Sequence, residues 1–500
     1  MFKRAINAVR RWLYNLGILK GMQSLENHKD IPINEEMYQY IDMWKQLYRG
    51  YHEDWHKLTY KTIEGTKERK MDTLNMAKVS SNEMASLVYN EKCEISIGDD
   101  KNATAEFINN VFKDNKFNKK FQDYLEYSFA MGGVVIKPYV ENDKIKLSFV
   151  TADCFVPISW SNETIREGVF INQIQRRDKT YTHLEWHEWI NGVYTVTNEL
   201  YESRNGTDLG VPVPLNTLKE YENLEPIVGM TAIEKPLFVY FKPNTANNID
   251  TQSPLGISLF ANALDTMKAI DVAFDSFNRE FRLGKKRIIV PEHMVKAVVD
   301  PIDGRMHRYF DTSDETYEAL PGEMDDFKVH DISVELRVDE HIAAINAMLN
   351  LFAMQTGFSS GTFTFDGQSM KTATEVISEQ SKTFKSKQSH EVIIEEGLKE
   401  LIGAILSLAK QYSLFNAKDD YEVSIAFDDS IAEDKAAEID KQSQMVLNGL
   451  QSKKRAIMKI QGVTEDEALE ILQEIAEESN GFKEFKRDEQ LSSILLGEGE

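Results

Sequence analysis

Cysteine is scarce. Cys93 and Cys154 are the only two in 500 residues, which argues against a disulfide framework and a cysteine-rich zinc site and fits assembly in a reducing, intracellular setting. Positive charge is also short: 58 lysines and arginines face 81 aspartates and glutamates, a net charge of −23. The surface as a whole therefore repels nucleic acid, which argues against a general DNA-binding protein. A DNA partner would have to pass or touch locally, because tight binding takes many cationic phosphate contacts. No apolar run approaches the length of a membrane span. There is no GxxxxGK[ST] phosphate loop and no GxSxG elbow, so neither an ATP-driven motor nor that class of hydrolase is indicated. No cofactor is expected.

The chain is long enough for a sizeable core and for two to four domains or one elongated subunit. Its first residues, MFKRAINAVRRWLYNLGILKG, are basic and amphipathic, and Arg10 and Arg11 interrupt any signal-peptide core. This segment reads as a helix that docks on a protein neighbour, with a membrane-surface role as the alternative. Helical spacing follows at Glu35 to Tyr48, Lys70 to Tyr89, Thr104 to Phe112 and Lys119 to Met131. Gly132-Gly133 closes the last of these, and VVIKPYV reads as a strand. From Gly168 to Ser203 the alternation predicts a β-meander, with one polar turn at Arg176 to Lys179 and a type I′ hairpin at Asn191-Gly192. The proline-punctuated stretch that follows reads as connecting loop with edge strands.

The organising stretch is Ser253 to Lys371. Ser253 and Pro254 read as a helix start, and Phe260, Leu264, Met267, Ile270, Phe274, Phe277 and Phe281 recur at helical steps. Asp265, Lys268, Asp275, Arg279 and Arg282 fall on the other side, and Gly284 ends the helix. Such a helix would be about 45 Å long. Asn278 sits on the apolar stripe and needs a partner, expected on a neighbouring subunit. A second helix begins near Asp339, carries Ile342, Ile345, Leu349 and Phe352 on one stripe, and stops at Gly357. Between the two, Lys285 to Ser333 holds strand and turn signals, including Asp303-Gly304 and Met306 to Phe310. This knob must sit at the far end of a helical hairpin.

After Gly357 comes a glycine-broken loop, FSSGTFTFDGQSMK. Its Phe363 and Phe365 either stand exposed, for stacking or a neighbouring subunit, or fold back on their own core. Thr372 and Glu375 form a capping box for a helix continuing to Tyr412, polar nearly all round in its first half and therefore bridging or solvated there. Tyr421 to Phe427 reads as a strand returning to an earlier sheet. The end is helical and acidic, at Glu433 to Asn448, Lys453 to Gln461 and Glu465 to Glu478, with Ser452 and the Thr464/Glu467 box as starts and Gly462 as a stop.

Two clusters invite a chemical reading. Alternation puts His183, Glu185 and His187 of HLEWHEW on one strand face, where they could ligate zinc in a metal-dependent hydrolase. The blander reading, a polar strand face over a core side of Leu184, Trp186 and Ile190, is preferred, because nothing nominates a further ligand. Arg279, Arg282, Lys285, Lys286 and Arg287 form a basic run in an acidic chain. It marks a contact with DNA or an acidic partner, or it offsets a helix macrodipole; the run outlasts the last turn, so both readings stand.

Four segments in order, MAKVSSNEMASLVYNEKCEI, VDEHIAAINAMLNLFAMQTGFSSGTFTFDG, MKTATEVISEQSKTFKSKQ and SKKRAIMKIQGVTEDEALEIL, resemble the portal proteins of tailed phages, particularly those infecting Gram-positive bacteria. The resemblance implies a non-enzymatic, predominantly helical α+β subunit. It would assemble into a ring, usually of twelve, at the capsid vertex of the virion, formed in the host cytoplasm. Double-stranded DNA would be packaged and ejected through its channel. The implied parts are an N-terminal segment and wing over 1–252, stem helices over 253–284 and 334–357, a clip over 285–333, a tunnel loop over 358–371, a further wing helix and strand over 372–429, and a crown over 430–500. Implied partners are the terminase large subunit, head-completion adaptors, and major capsid and scaffold proteins, with no membrane. Tunnel-loop residues would be Thr362, Phe363, Thr364, Phe365 and Lys371. Lys285, Lys286 and Arg287 would serve terminase docking, and Asp275, Asn278, Arg279 and Arg282 the stem. Another structural head protein, such as a scaffold or minor capsid component, is the remaining alternative.

Overall fold

A computed structural model describes residues 35–62, 65–98, 102–162, 164–204, 209–284, 288–289, 296–299, 306–309, 330–331, 335–365, 373–416, 421–428, 435–461, 463 and 467–475. The basic N-terminal segment, Lys285 to Arg287, the Asp303-Gly304 turn, Lys371, the side chains of the Thr372/Glu375 box, Gly462 and Thr464 lie outside them.

The chain opens with α1 (Glu35–Tyr48) and a single turn, α2 (Glu53–His56), which leads into a hairpin, β1 (Lys57–Thr62) and β2 (Gly65–Lys70). Next comes α3 (Met76–Val88), which starts later than spacing suggested because Lys70 ends a strand and Asn75 is the N-cap, accepting from the Lys78 amide at 3.4 Å. Then follow β3 (Glu94–Ile97), α4 (Ala103–Asn115) and α5 (Phe117–Met131).

Antiparallel β4 (Val134–Glu141) and β5 (Lys144–Thr151) pair, with β12 (Val239–Phe241) later added on the β4 side. Asn115 blunts the free edge of β5. Its side chain donates to the Ile145 carbonyl and accepts from the Leu147 amide, each at 3.0 Å, as a neighbouring strand would.

The meander is β6 (Phe155–Ser161), β7 (Thr164–Arg176), β8 (Lys179–Ile190) and β9 (Val193–Ser203), with β10 (Val211–Val213) and β11 (Ile227–Met230) both pairing with β9. Asn191 and Gly192 turn at φ of 51° and 79°, as a type I′ hairpin requires. The proline-rich stretch supplies the short strands β10 to β12, as expected.

The first long helix does not open at Ser253. Residues 254–260 are buried and not helical, with Ile257 and Phe260 fully enclosed, and the Leu259 amide donates to the Phe129 carbonyl at 2.8 Å. Gly132 and Gly256 make this crossing possible, since a Cβ on Gly132 would meet the Gly256 carbonyl oxygen at 2.5 Å. Ser253 accepts from the Leu255 amide in a local turn instead of capping a helix. The helix proper, α6, is Leu264–Leu283, about 30 Å long. Short strand pairs follow, β13 (Ile288–Ile289) with β16 (His330–Asp331) and β14 (Lys296–Val299) with β15 (Met306–Tyr309). The second helix, α7 (Val338–Gln355), ends at Gly357, which has φ of +87°.

The longest helix, α8 (Ala373–Gln411), precedes β17 (Val423–Ala426), which returns to pair with β3 as expected. Helices α9 (Lys435–Leu447) and α10 (Lys453–Gln461) follow, the Arg455 amide donating to Ser452 Oγ at 3.3 Å in the foreseen cap. Two apolar cores adjoin. One joins α1, the meander, α6 and α7; the other joins α3, α4, α5, β4 and α8, with Phe363 packed against both. The class is mixed α+β, with 47% helix and 26% strand.

The polar first half of α8, expected to bridge neighbours or to be solvated, has one side in water, at Lys382, Lys385, Gln388 and Ser389, and one side enclosed. Thr383, Lys387, His390 and Glu391 are buried, with Lys387 Nζ 2.5 Å from Glu391 Oε1. Polar side chains on that side pair with one another and with nearby backbone, so a helix face without apolar residues is still enclosed.

Candidate functional site

Helices α6 and α7, which flank 285–333 in sequence, are antiparallel and clamped to each other where that segment leaves and returns. Glu280, near the end of α6, receives the Arg337 amide at 3.0 Å, Arg337 Nη2 at 2.9 Å and His341 Nε2 at 2.6 Å. The carboxylate thus sits at the start of α7, where the macrodipole favours negative charge. Hydrogen bonds from Arg337 and His341 hold its pKa down to about 2. Gly284 ends α6 for space and not for a left-handed turn: its φ is −77°, and a Cβ would meet Leu336 Cδ2 at 2.5 Å.

The polar side of α6 is covered in part. Asp271 and Asp275, one turn apart, are buried against the segment 56–74. Arg69 binds Asp275 through both terminal nitrogens, at 2.5 and 2.6 Å, and the Asp72 amide adds a third bond at 3.1 Å. These bonds, the arginine's foremost, hold the Asp275 carboxyl below the usual aspartate range. Asp271 accepts from Thr73 Oγ1 and the Leu74 amide, with His56 Nε2 at 3.4 Å from its other oxygen. Asn278 finds its partner within the same chain, donating to Asp72 Oδ2 at 3.3 Å; an inter-subunit partner is not needed to satisfy it. Arg279 and Arg282 are exposed, Arg282 lying 3.9 Å from Asp72. Meanwhile Phe281, placed on the apolar stripe by spacing, is 47% exposed.

The loop after α7 divides in two. Its start is fixed: the Ser359 and Thr383 amides exchange hydrogen bonds with each other's hydroxyls at 2.8 and 3.1 Å, and Asn350 and Asn346 on α7 accept from the Gly361 and Phe365 amides at 2.7 and 3.0 Å. Phe363 folds back, its ring 4.9 Å from that of Phe358 and 5.9 Å from that of Phe352. Phe365 stays 57% exposed. Thr362 and Thr364 donate to the Ser359 and Gly361 carbonyls, tightening the turn. The two phenylalanines, equivalent by spacing, thus have opposite environments.

His183, Glu185 and His187 do share a region, but as a satisfied polar network. His187 bridges Glu185 at 2.8 Å and the Tyr194 hydroxyl at 2.7 Å, His183 meets Asn198 Oδ1 at 3.0 Å, and Lys137 ion-pairs with Glu185. Burial lowers the pKa of both imidazoles, keeping them neutral. It would raise that of Glu185, but Lys137 and His187 outweigh it and hold the carboxyl well below its ordinary range. Lys137 was the missed member; an ionisable residue inside the apolar run VVIKPYV was its signal. Among the described residues no group of three metal-capable side chains is disposed to hold an ion.

Among the described residues no catalytic constellation competes with the helical pair and the loop after it. A family described as phage portal protein, SPP1 Gp6-like, matches residues 27–481. The chain belongs to the phage portal protein family. A search among curated proteins finds no match. The match covers nearly the whole chain, so this is a phage portal subunit, and nothing among the described residues favours a metal-dependent hydrolase. The portal family is structural, and membership implies an oligomeric ring and a place in the virion capsid. Among the described residues no helix is long and apolar enough to cross a membrane.

Proposed function

We propose that the subunit forms a ring, of twelve copies, around a channel through which double-stranded DNA enters and leaves the capsid. The family match over 27–481 carries this reading. The clamped pair α6 and α7 supports its use as the stem, with 285–333 as the clip facing the terminase large subunit and later the head-completion adaptors. Assembly takes place in the host cytoplasm with capsid and scaffold proteins. The acidic balance of the chain suits a passage that must not hold phosphates tightly. In the tunnel loop, Phe365 meets the DNA, while Phe363 secures the loop's root. The helices over 435–475 form the crown.

Electron microscopy of the purified chain tests the proposal. Rings with a central hole are expected, and uniformly monomeric particles under conditions that also support capsid assembly would overturn it.

A further inference from the structure

Helix α7 is apolar on two sides. Ile345, Leu349 and Phe352 are buried in the core shared with α6 and the meander, as their spacing predicts. The opposite arc carries Ala343, Ala347, Leu351 and Met354, again at helical steps, and all four are exposed, Leu351 by 50% and Met354 by 55%. Single exposed apolar side chains are ordinary. Here they line up along about three turns of one helix.

The same stretch is stripped of charge. From His341 to Phe365 there is no Asp, Glu, Lys or Arg, in a chain of which 28% is charged. The exposed positions of α6, the other member of the pair, include Asp265, Lys268, Arg279 and Arg282. A helix face left to water carries such residues, whereas a helix apolar all round belongs in an enclosed setting.

We propose that this outward face of α7 packs against the adjacent copy of this chain, with Ala347 and Leu351 at the centre of the contact. The proposal rests on the ring reading above, and family membership implies that each copy is flanked by others. Charge selects the occupant. Copies of net charge −23 repel one another, so they meet at least cost where no like charges face each other and no carboxylate has to shed water. A neutral row of alanine, leucine and methionine meets both conditions, as the centres of protein interfaces do. Double-stranded DNA is disfavoured because the row offers its phosphates no cation. Four side chains cover less than the ~800 Å² a side that a stable contact buries. They form its dry centre, and the exposed Glu340 and Gln355 at either end belong to the polar rim.

The test uses the full chain with Met354→p-benzoylphenylalanine, a photo-crosslinker, and separately the double variant Ala347→Glu, Met354→Glu. Isotopically heavy and light chains are mixed before assembly, so that a crosslink between copies differs in mass from one within a chain. Crosslinks between copies are expected in irradiated rings. The double variant should need about a hundredfold more protein for half-assembly, read by mass photometry, because its carboxylates would be buried unpaired, while its unassembled subunit melts as the parent does. Assembly of the variant at the parental concentration would overturn the proposal. Rings whose crosslinks stay within one chain would also overturn it and assign the face to a segment of its own subunit, and crosslinks to DNA in filled heads would assign it to the channel wall. A parent chain that forms no rings counts instead against the proposed function.

Discussion

Arg69 and Asp275 join a surface hairpin to a buried position of a helix: the guanidinium grips the carboxylate with two bonds of 2.5 and 2.6 Å, although 206 residues separate them in sequence. The carboxylate is nearly closed off while the arginine keeps partial contact with water. Removing the arginine therefore strands a buried charge. We expect Arg69→Ala to lower stability by about 2 kcal/mol, somewhat below the cost of breaking a fully buried pair. Arg69→Ala with Asp275→Leu should recover part of that loss, read by denaturant titration. Because the folded pKa of Asp275 is depressed, the pair contributes fully above about pH 4 and loses its contribution as pH falls through the folded value. If the single variant unfolds at the parental midpoint, the clamp is not stabilising.

His390 supplies a second pH dependence, of different origin. It is buried in α8, its Nδ1 accepts from the Asn244 amide at 2.9 Å, and burial pushes its pKa down to about 4. Between that value and the unfolded chain's ~6.5, the unfolded state binds the extra proton. Stability should therefore fall as pH is lowered through this window, by at most about 3 kcal/mol, and level off below it. His390→Gln keeps an acceptor without titrating, so its stability profile between pH 6.5 and 4 should be flatter. Identical slopes in variant and parent would refute this.

The two loop phenylalanines should separate cleanly. Phe363→Ala opens a gap against Phe352 and Phe358 and is expected to cost about 2 kcal/mol, reduced from a full core truncation because the ring is only partly buried. Phe365→Ala, at an exposed ring, should change stability by less than about 0.5 kcal/mol and lower DNA packaging with rings intact. Thermal melts and a packaging assay together decide this, and a large stability loss for Phe365→Ala would make that residue structural.

Neutralising Lys285, Lys286 and Arg287 together should weaken terminase binding at low salt and leave the subunit's melting temperature unchanged. Binding measured by surface plasmon resonance at two ionic strengths is the check. Unchanged affinity would assign these cations to the end of α6 alone.

Local rules made much of the fold legible. Helix spacing located α1 and α7 closely, Asn191-Gly192 marked its hairpin because only a left-handed pair of residues closes that turn, and Ser452 marked its cap. They failed where a distant segment changed a residue's surroundings. Asp275 looked solvated until Arg69 was placed beside it, and Lys387 and Glu391 looked like a wet helix face until they were found enclosed together. The start of α6 moved because the stretch before it is buried in a non-helical crossing whose close backbone approach Gly132 and Gly256 allow.

The amino-acid order by itself determined the periodic elements, their turns and the family, since each depends on residues close in the chain or on short motifs kept in sequence. Tertiary structure alone decided which polar groups are buried, which of Phe363 and Phe365 faces water, and that Asn278 is served by Asp72 of its own chain. Burial and pairing between distant residues are properties of packed neighbours, and no local pattern encodes them.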